Sequence, residues 1–282
     1  MLIFNNKADL KTCLASLPFN NPAIGFVPTM GALHEGHLSL LEQSVRENDV
    51  TVVSIFVNPT QFNNPEDLEK YPRTLDADVE KIKTVNPDII VFAPSVNEMY
   101  DGDTTSSAFS FDGLEDQMEG KHRPGHFDGV GTIVKKLFEI VIPTNAYFGE
   151  KDFQQLQVVK KMTQKSNLPV HVVGCPIHRE ANGLAMSSRN ERLSPDERQE
   201  AAIIYKILQQ AKQAFAENAS PEDIKKQVED SFIAHPEFKL EYFEIADEDT
   251  LKTITTKENK KYRAFIAVYI SNIRLIDNIS LN

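Results

Sequence analysis

Between residue 23 and about residue 175 the chain alternates short apolar runs with longer stretches whose apolar positions recur every three or four residues. The runs AIGFVP, VTVVSIFV, DIIVFAP, AYFGE and VHVVGC have strand length and are apolar on both faces, as strands covered by helices on both sides must be. The intervening stretches 36–48, 75–86, 127–141 and 152–166 carry helical spacing, and Pro87 and Asn167-Leu168-Pro169 supply the chemistry that stops a helix. Strand, helix and strand in succession predict an α/β fold with a parallel sheet and crossover helices. After residue 176 the pattern changes. SPDERQEAAIIYKILQQAKQAF predicts one helix capped by Ser194 with Pro195 in its first turn, and SPEDIKKQVEDSF predicts a second. Beyond Pro236 the runs LEYFEIA, RAFIAVYI and NIRLIDNI predict a small antiparallel sheet. The expected organisation is an α/β domain over 1–176 and a smaller α+β domain over 177–282, with no long Gly/Ser-rich or Pro-rich linker and no internal repeat.

Composition narrows the possible partners. Thirty Lys and Arg against 41 Asp and Glu give a net charge of −11, which opposes unspecific attachment to nucleic acid or to an anionic membrane, so phosphate affinity has to come from a local cluster. Cys13 and Cys175 show no metal-ligand spacing, and a chain of 282 residues buries enough core to fold without a disulfide framework. The start MLIFNNKADLKTC lacks the apolar core and cleavage site of an export signal, and no apolar run approaches the roughly 18 residues of a membrane span. A cytoplasmic protein with no membrane or nucleic-acid partner is expected. The acidic DEDT at 247–250 and the polar TTKENKKYR at 255–263 read as solvated loops.

The first stretch with chemistry follows the first long strand: Met30, Gly31, Ala32, Leu33, His34, Glu35, Gly36 and His37, leading into LSLLEQSV. A strand, a tight turn and a helix start at the carboxyl edge of a parallel sheet offer unbonded N–H groups and the positive dipole end to an anion. Two glycines permit close backbone approach, and histidines three apart fall on one side of a first helical turn. Capping or surface roles for the pair, and metal ligation, remain alternatives at this point, although HEGH differs from the HExxH of zinc proteases. GLEDQMEGK at 113–121 spaces its glycines wrongly for a P-loop, and no strand runs into GxGxxG. What remains is the H-x-G-H turn of class I aminoacyl-tRNA synthetases and related nucleotidyl transferases, which HEGH resembles.

Four further stretches add to it: VNPTQF at 57–62, KHRPGHFDGV at 121–130, FGEKDFQQLQ at 148–157, and RE with NGLAMSSRN across 179–190. In this order and spacing they resemble the pantothenate synthetase (pantoate–β-alanine ligase) family over nearly the whole chain. The resemblance implies a Rossmann-like nucleotide domain with a C-terminal lid. It also implies a reaction in which ATP and pantoate form pantoyl-adenylate and pyrophosphate, after which β-alanine displaces AMP to give pantothenate. Carried onto matching positions, residues Met30 to His37 line the ATP site together with Gly149, Glu150, Lys151, Asp152, Met186, Ser187, Ser188 and Arg189. His34, His37, Lys151 and Arg189 act on the phosphates, with His37 the candidate proton donor. His178 stands at an ATP-contact position where the family is expected to carry an aliphatic residue. Gln61 and Gln155 hold pantoate, and Pro28, Met30, Val134 and Phe148 surround its methyl groups. Arg123 reads equally as a phosphate contact or a structural ion pair. Mg²⁺ accompanies ATP, with no secure protein ligand; Asp76 and Asp78 lie near the right motifs, but acidic residues at a helix start also suit the helix dipole. A homodimer is expected from the family. Another nucleotidyl transferase, or a sensor that binds ATP without turnover, are the competing readings.

Overall fold

The computed structural model describes residues 1–18 and 20–282. The chain divides into two compact units. The first comprises Met1–Glu115, Gly120–Glu150 and Gln155–Pro176, and the second comprises Asp116–Glu119, Lys151–Gln154 and Ile177–Asn282. The main change of unit falls where the amphipathic pattern changes, and two short earlier pieces join the second unit.

The first unit holds a parallel sheet of six strands: β1 (Leu2–Phe4), β2 (Ile24–Thr29), β3 (Val50–Ile55), β4 (Ile90–Phe92), β5 (Asn145–Gly149) and β6 (His171–Cys175). Their order across the sheet is β1-β4-β3-β2-β5-β6, with every neighbouring pair parallel. The chain therefore builds outward from β2 to one side and then returns to the other. That reversal makes the carboxyl ends of β2 and β5 the switch point at which open α/β sheets take ligands. The helices are α1 (Lys7–Ala15), α2 (Glu35–Glu47), α3 (Pro65–Glu69), α4 (Leu75–Val85), α5 (Val96–Tyr100), α6 (Met118–His122), α7 (His126–Val141) and α8 (Phe153–Lys165), of which α6 and α8 have residues in both units. The α2 helix forms because Leu38, Leu41 and Val45 make one apolar stripe. With Val27 and Val53 of the sheet, and with Ile82 of α4, that stripe builds a core in which Leu41 and Ile82 are fully buried, each such side chain contributing about 1.5–3 kcal/mol.

The second unit contains α9 (Pro195–Glu200), α10 (Ile203–Ala216) and α11 (Pro221–Ile233), followed by an antiparallel sheet of β7 (Phe238–Asp247), β8 (Tyr262–Ile270) and β9 (Ile273–Ser280) in that order. Ile204, Ile207 and Leu208 of α10 and Ile224 and Val228 of α11 pack with Phe243, Ile245 and Ile266 of the sheet. Here the structure corrects the sequence reading: the single helix expected after Ser194 is two. At the break, Ala202 N bonds Gln199 O and Ile204 N bonds Ala201 O, three-residue spacings that tighten the coil around the fully buried Ala201. Ser194 caps α9 as expected, its hydroxyl accepting from Glu197 N while the Glu197 carboxylate accepts from Ser194 N. Among the described residues no helix is long and apolar enough to cross a membrane.

Candidate active site

The turn between β2 and α2 is shaped by two residues in the left-handed region, Gly31 at φ +83° and Ala32 at φ +51°. For alanine that conformation costs about 1–2 kcal/mol, so other groups must hold it. Asp78, near the start of α4 and 1% exposed, does so: its carboxylate accepts from Ala32 N at 3.0 Å and Leu33 N at 2.7 Å, and from the Thr74 hydroxyl at 3.1 Å. Lys81, one turn along α4, donates to the Leu33 carbonyl at 2.6 Å. From the other side the Thr29 hydroxyl accepts from Gly31 N at 3.2 Å while donating to Ser54 O at 2.7 Å.

This frame delivers His34 to the N-cap of α2 and His37 to its first turn. The two imidazoles face each other with ring centroids 4.1 Å apart. His34 N donates to His37 Nδ1 at 3.3 Å, which assigns the proton of neutral His37 to Nε2. Glu35 and Gly36, between them, open α2, where N–H groups have no carbonyl of their own helix ahead of them.

The sequence left Asp78 between a metal role and a favourable place in the helix dipole. The structure gives it neither as its main work, because its oxygens are taken by the turn. Asp76, on the same helix, is exposed. Among the described residues no group of three His, Cys, Asp or Glu is disposed to hold a metal ion.

Gln61 closes a single 3₁₀ turn, Pro59–Gln61, after β3. Its Oε1 accepts from Asn58 Nδ2 at 3.1 Å, and its Nε2 lies 3.4 Å from Met30 Sδ. Its main-chain carbonyl accepts from Arg123 at 3.2 Å and contacts His126 Nδ1 at 2.8 Å. Arg123 thus braces the Gln61 backbone. Helix α7 presses on the same turn at Gly129, where a Cβ would lie 2.4 Å from Thr60 O and 2.9 Å from Gln61 N. Gln155 is half-buried in the first turns of α8 and belongs, like Gln61, His34 and His37, to the first unit. Val134 and Phe148 are buried, whereas Pro28 and Met30 are partly open.

Gly149 ends β5 and Glu150 follows it in the first unit; Lys151 and Asp152 fall in the second. Lys151 Nζ is 3.8 Å from Asp152, and the Lys151 carbonyl accepts from Asn278 Nδ2 at 2.9 Å. The second unit also carries the loop that includes His178 and Met186 to Arg189. The His178 side chain is exposed, and its carbonyl accepts from Met186 N at 3.0 Å. Ser187 caps the short turn Ser188–Arg192, accepting from Arg189 N at 3.2 Å. Glu180 braces this loop: it accepts from Asn190 Nδ2 at 2.8 Å and from Arg198 Nε and an Arg198 terminal nitrogen at 2.8 and 2.9 Å. Arg179 meets Asp277 in a two-pronged pair at 2.7 and 3.0 Å.

Asn58, Tyr100, Glu180 and Asn190 received no site role from the sequence, and Asp78 was weighed there only as a metal ligand or a helix-start acid, not as a brace. Asn58, Glu180 and Asn190 stood inside quoted motifs, and their position next to Gln61 or the serine-arginine loop was the available signal. Of the groups near the sheet's carboxyl edge, the Cys175 thiol is pushed up to about 11, by burial first and then by the charges of Glu47 and Glu150. Burial also raises the Tyr100 hydroxyl, against the lowering effect of its bonds to Thr60 and Asn58.

Comparison with known proteins bears on this arrangement. The family model described as pantoate-beta-alanine ligase matches residues 2–280. A pantothenate synthetase of Flavobacterium psychrophilum is 63% identical over 282 residues, covering 100% of both chains. One from Bacteroides fragilis is 49% identical over 280 residues, covering 99% of this chain and 98% of the relative. Among solved structures, a pantothenate synthetase from Thermus thermophilus superposes with a TM-score of 0.92 at 40% identity, covering 100% of this chain and 99% of that one. A pantoate-beta-alanine ligase from Francisella tularensis, complexed with beta-gamma ATP and beta-alanine, gives 0.83 at 36% identity, with 100% and 98% covered.

Proposed function

The chain belongs to the pantoate–β-alanine ligase family, and from that membership we infer how its residues divide the work of making pantothenate. The enzyme is an ATP-dependent, AMP-forming ligase. A pantoate carboxylate oxygen attacks the α-phosphorus of ATP, the α–β bridging bond breaks, and pyrophosphate leaves. The amine of β-alanine then attacks the acyl carbon of pantoyl-adenylate, AMP departs, and the nitrogen loses its extra proton.

In this reading the turn from Met30 to His37 binds the triphosphate through main-chain N–H groups and the two imidazoles. Because His37 Nδ1 faces the His34 amide, neutral His37 offers its Nε2–H as a hydrogen-bond donor to oxygens on which charge develops, which lowers the barrier without a proton having to leave the ring. Lys151 and Arg189 bring positive charge to the phosphates. Gly149, Glu150, Asp152, His178, Met186, Ser187 and Ser188 complete the nucleotide contacts, His178 through its main chain. Gln61 and Gln155 hold pantoate, with Pro28, Met30, Val134 and Phe148 against its methyl groups. We further propose that residues 1–176 are the nucleotide and pantoate domain and 177–282 the lid, and that the enzyme works in the cytoplasm as a homodimer. Mg²⁺ arrives with ATP. The Asp78 carboxylate is engaged by the turn, so a metal brought in with ATP would gain no secure ligand from it and would serve to neutralise phosphate charge.

The observation that carries this reading is the braced HxGH turn at the carboxyl end of the central strand, opening α2 at the sheet's switch point. It is tested by pyrophosphate release with ATP, Mg²⁺ and pantoate, before and after β-alanine is added, with mass detection of products. Pyrophosphate that depends on pantoate, followed by AMP and pantothenate only with the amine, is the expected result. Folded protein that turns over no pantoate overturns it. In single-turnover reactions His37→Ala should slow adenylate formation while leaving the melting temperature near that of the parent.

A further inference from the structure

We propose that the Tyr100 hydroxyl is a positioning group for the pantoate subsite: acting through Asn58, it decides which end of the Gln61 amide faces the acid. The proposal rests on the assignment of Gln61 to pantoate. An amide is nearly symmetric in shape, so its orientation is set by what its neighbours accept and donate. Asn58 is 1% exposed and Tyr100 3% exposed, so neither can turn to water for a partner. Tyr100 donates to Asn58 Oδ1 at 2.6 Å, and the Thr60 hydroxyl lies 3.2 Å from the same oxygen and 3.1 Å from the Tyr100 hydroxyl. With Oδ1 committed as an acceptor, Asn58 Nδ2 faces the Gly129 carbonyl at 3.2 Å and Gln61 Oε1 at 3.1 Å.

Gln61 Oε1 is thereby turned toward the protein. The Nε2 end carries two hydrogens, and the Met30 sulfur at 3.4 Å is a weak acceptor for one of them. Gln61 therefore presents N–H donors, which suits the carboxylate or a hydroxyl oxygen of pantoate; the reverse orientation would set a carbonyl against a carboxylate. Tyr100 itself is held by its ring, which lies 6.4 Å from that of Phe56 and under Lys136 Nζ at 5.5 Å. Tyr100→Phe keeps that packing and removes only the hydroxyl.

The test is steady-state kinetics on the full-length enzyme with pantoate and ATP varied separately. Tyr100→Phe should raise KM for pantoate about tenfold, the size expected for one misdirected buried hydrogen bond, and leave KM for ATP within about twofold. Combined with Gln61→Ala it should add less than about a further twofold, since the amide it orients is gone. Equal rises in both KM values, or full multiplication of the two effects, would show a structural role and overturn the proposal. An effective Gln61→Ala beside a silent Tyr100→Phe overturns it alone. A silent Gln61→Ala removes the Gln61 assignment and the proposal together. Should Tyr100→Phe not fold, Asn58→Asp replaces the donor facing Gln61 with an acceptor and must raise KM for pantoate selectively; equal effects on both substrates count against the proposal.

Discussion

Replacing Asp78 with asparagine separates the brace of the histidine turn from every other use of that residue. The substitution preserves shape and leaves one carbonyl oxygen, but the other position becomes an NH₂ group facing a backbone N–H. Of the two amide bonds, at 3.0 and 2.7 Å, one weakens from charge-assisted to neutral and costs about 1 kcal/mol. The other becomes a buried clash of donors at about 1–3 kcal/mol. The sum is about 3 kcal/mol, and at roughly 2–4 °C per kcal/mol for a unit of this size the melting temperature should fall by about 6–12 °C. Loss of the brace also lets Ala32 leave its left-handed conformation, so the histidine turn loosens and, with the turn in its proposed role, KM for ATP should rise about tenfold. Thermal melts followed by near-ultraviolet dichroism and pyrophosphate release against ATP read the two effects. Asp76→Asn, on the same helix but exposed, is the control and should stay within about 0.5 kcal/mol of the parent. If Asp78→Asn melts and saturates with ATP like the parent, the brace is not what holds the turn.

Gly129→Ala should push α7 off the Pro59–Gln61 turn, because its Cβ would lie 2.4 Å from Thr60 O; a loss of about 1–3 kcal/mol and weaker pantoate saturation are expected, and a variant normal in both refutes the close approach. Cys175, buried and with its thiol near 11, should resist an alkylating reagent at pH 8 until denaturant is added, while half-buried Cys13 reacts in the native protein; two thiols labelled at one rate would contradict this. The Asp247 carboxyl is raised by burial but more strongly lowered by the Thr250 amide and hydroxyl and the Asp249 amide, so its folded value lies below the ordinary one. Between the two values the unfolded chain holds more protons, so the stabilisation is present at neutral pH and is lost as pH falls through the folded value. Asp247→Asn keeps the accepting oxygen and should flatten the acid side of a stability-against-pH curve; an unchanged slope would count against it.

The strands flanking the switch point were legible because each is a dense apolar run, and the helices between them because each buries a stripe. Strand β1 was not: Leu2 and Ile3 are 54% and 44% exposed on an edge that pairs only with β4, so burial writes no pattern there. Helix α1 escaped for the same reason, burying Leu10 alone. The histidine turn was legible because strand, glycines and histidines are neighbours in sequence. Its brace was not, since Asp78 lies 46 and 45 residues from the amides it holds, and Tyr100 lies 42 from Asn58. Motif spacing brings residues that are neighbours in sequence to one turn, whereas the groups that brace that turn arrive from elsewhere in the fold.

The membership of Asp116–Glu119 and Lys151–Gln154 in the second unit bears on how the protein can be made. Glu119 pairs with Arg274 at 2.7 Å and accepts from Tyr242 at 2.7 Å, and Phe153 lies against Phe265 and beneath Arg263. All four of these partners are synthesised after residue 240. On the ribosome the two early pieces emerge long before the sheet that receives them, so the second unit closes only near the end of translation, whereas nearly all of the first is already complete. A gene fragment that starts at residue 177 encodes three helices and three strands but omits these early pieces, and an exchange of the second unit between relatives must carry all three segments together.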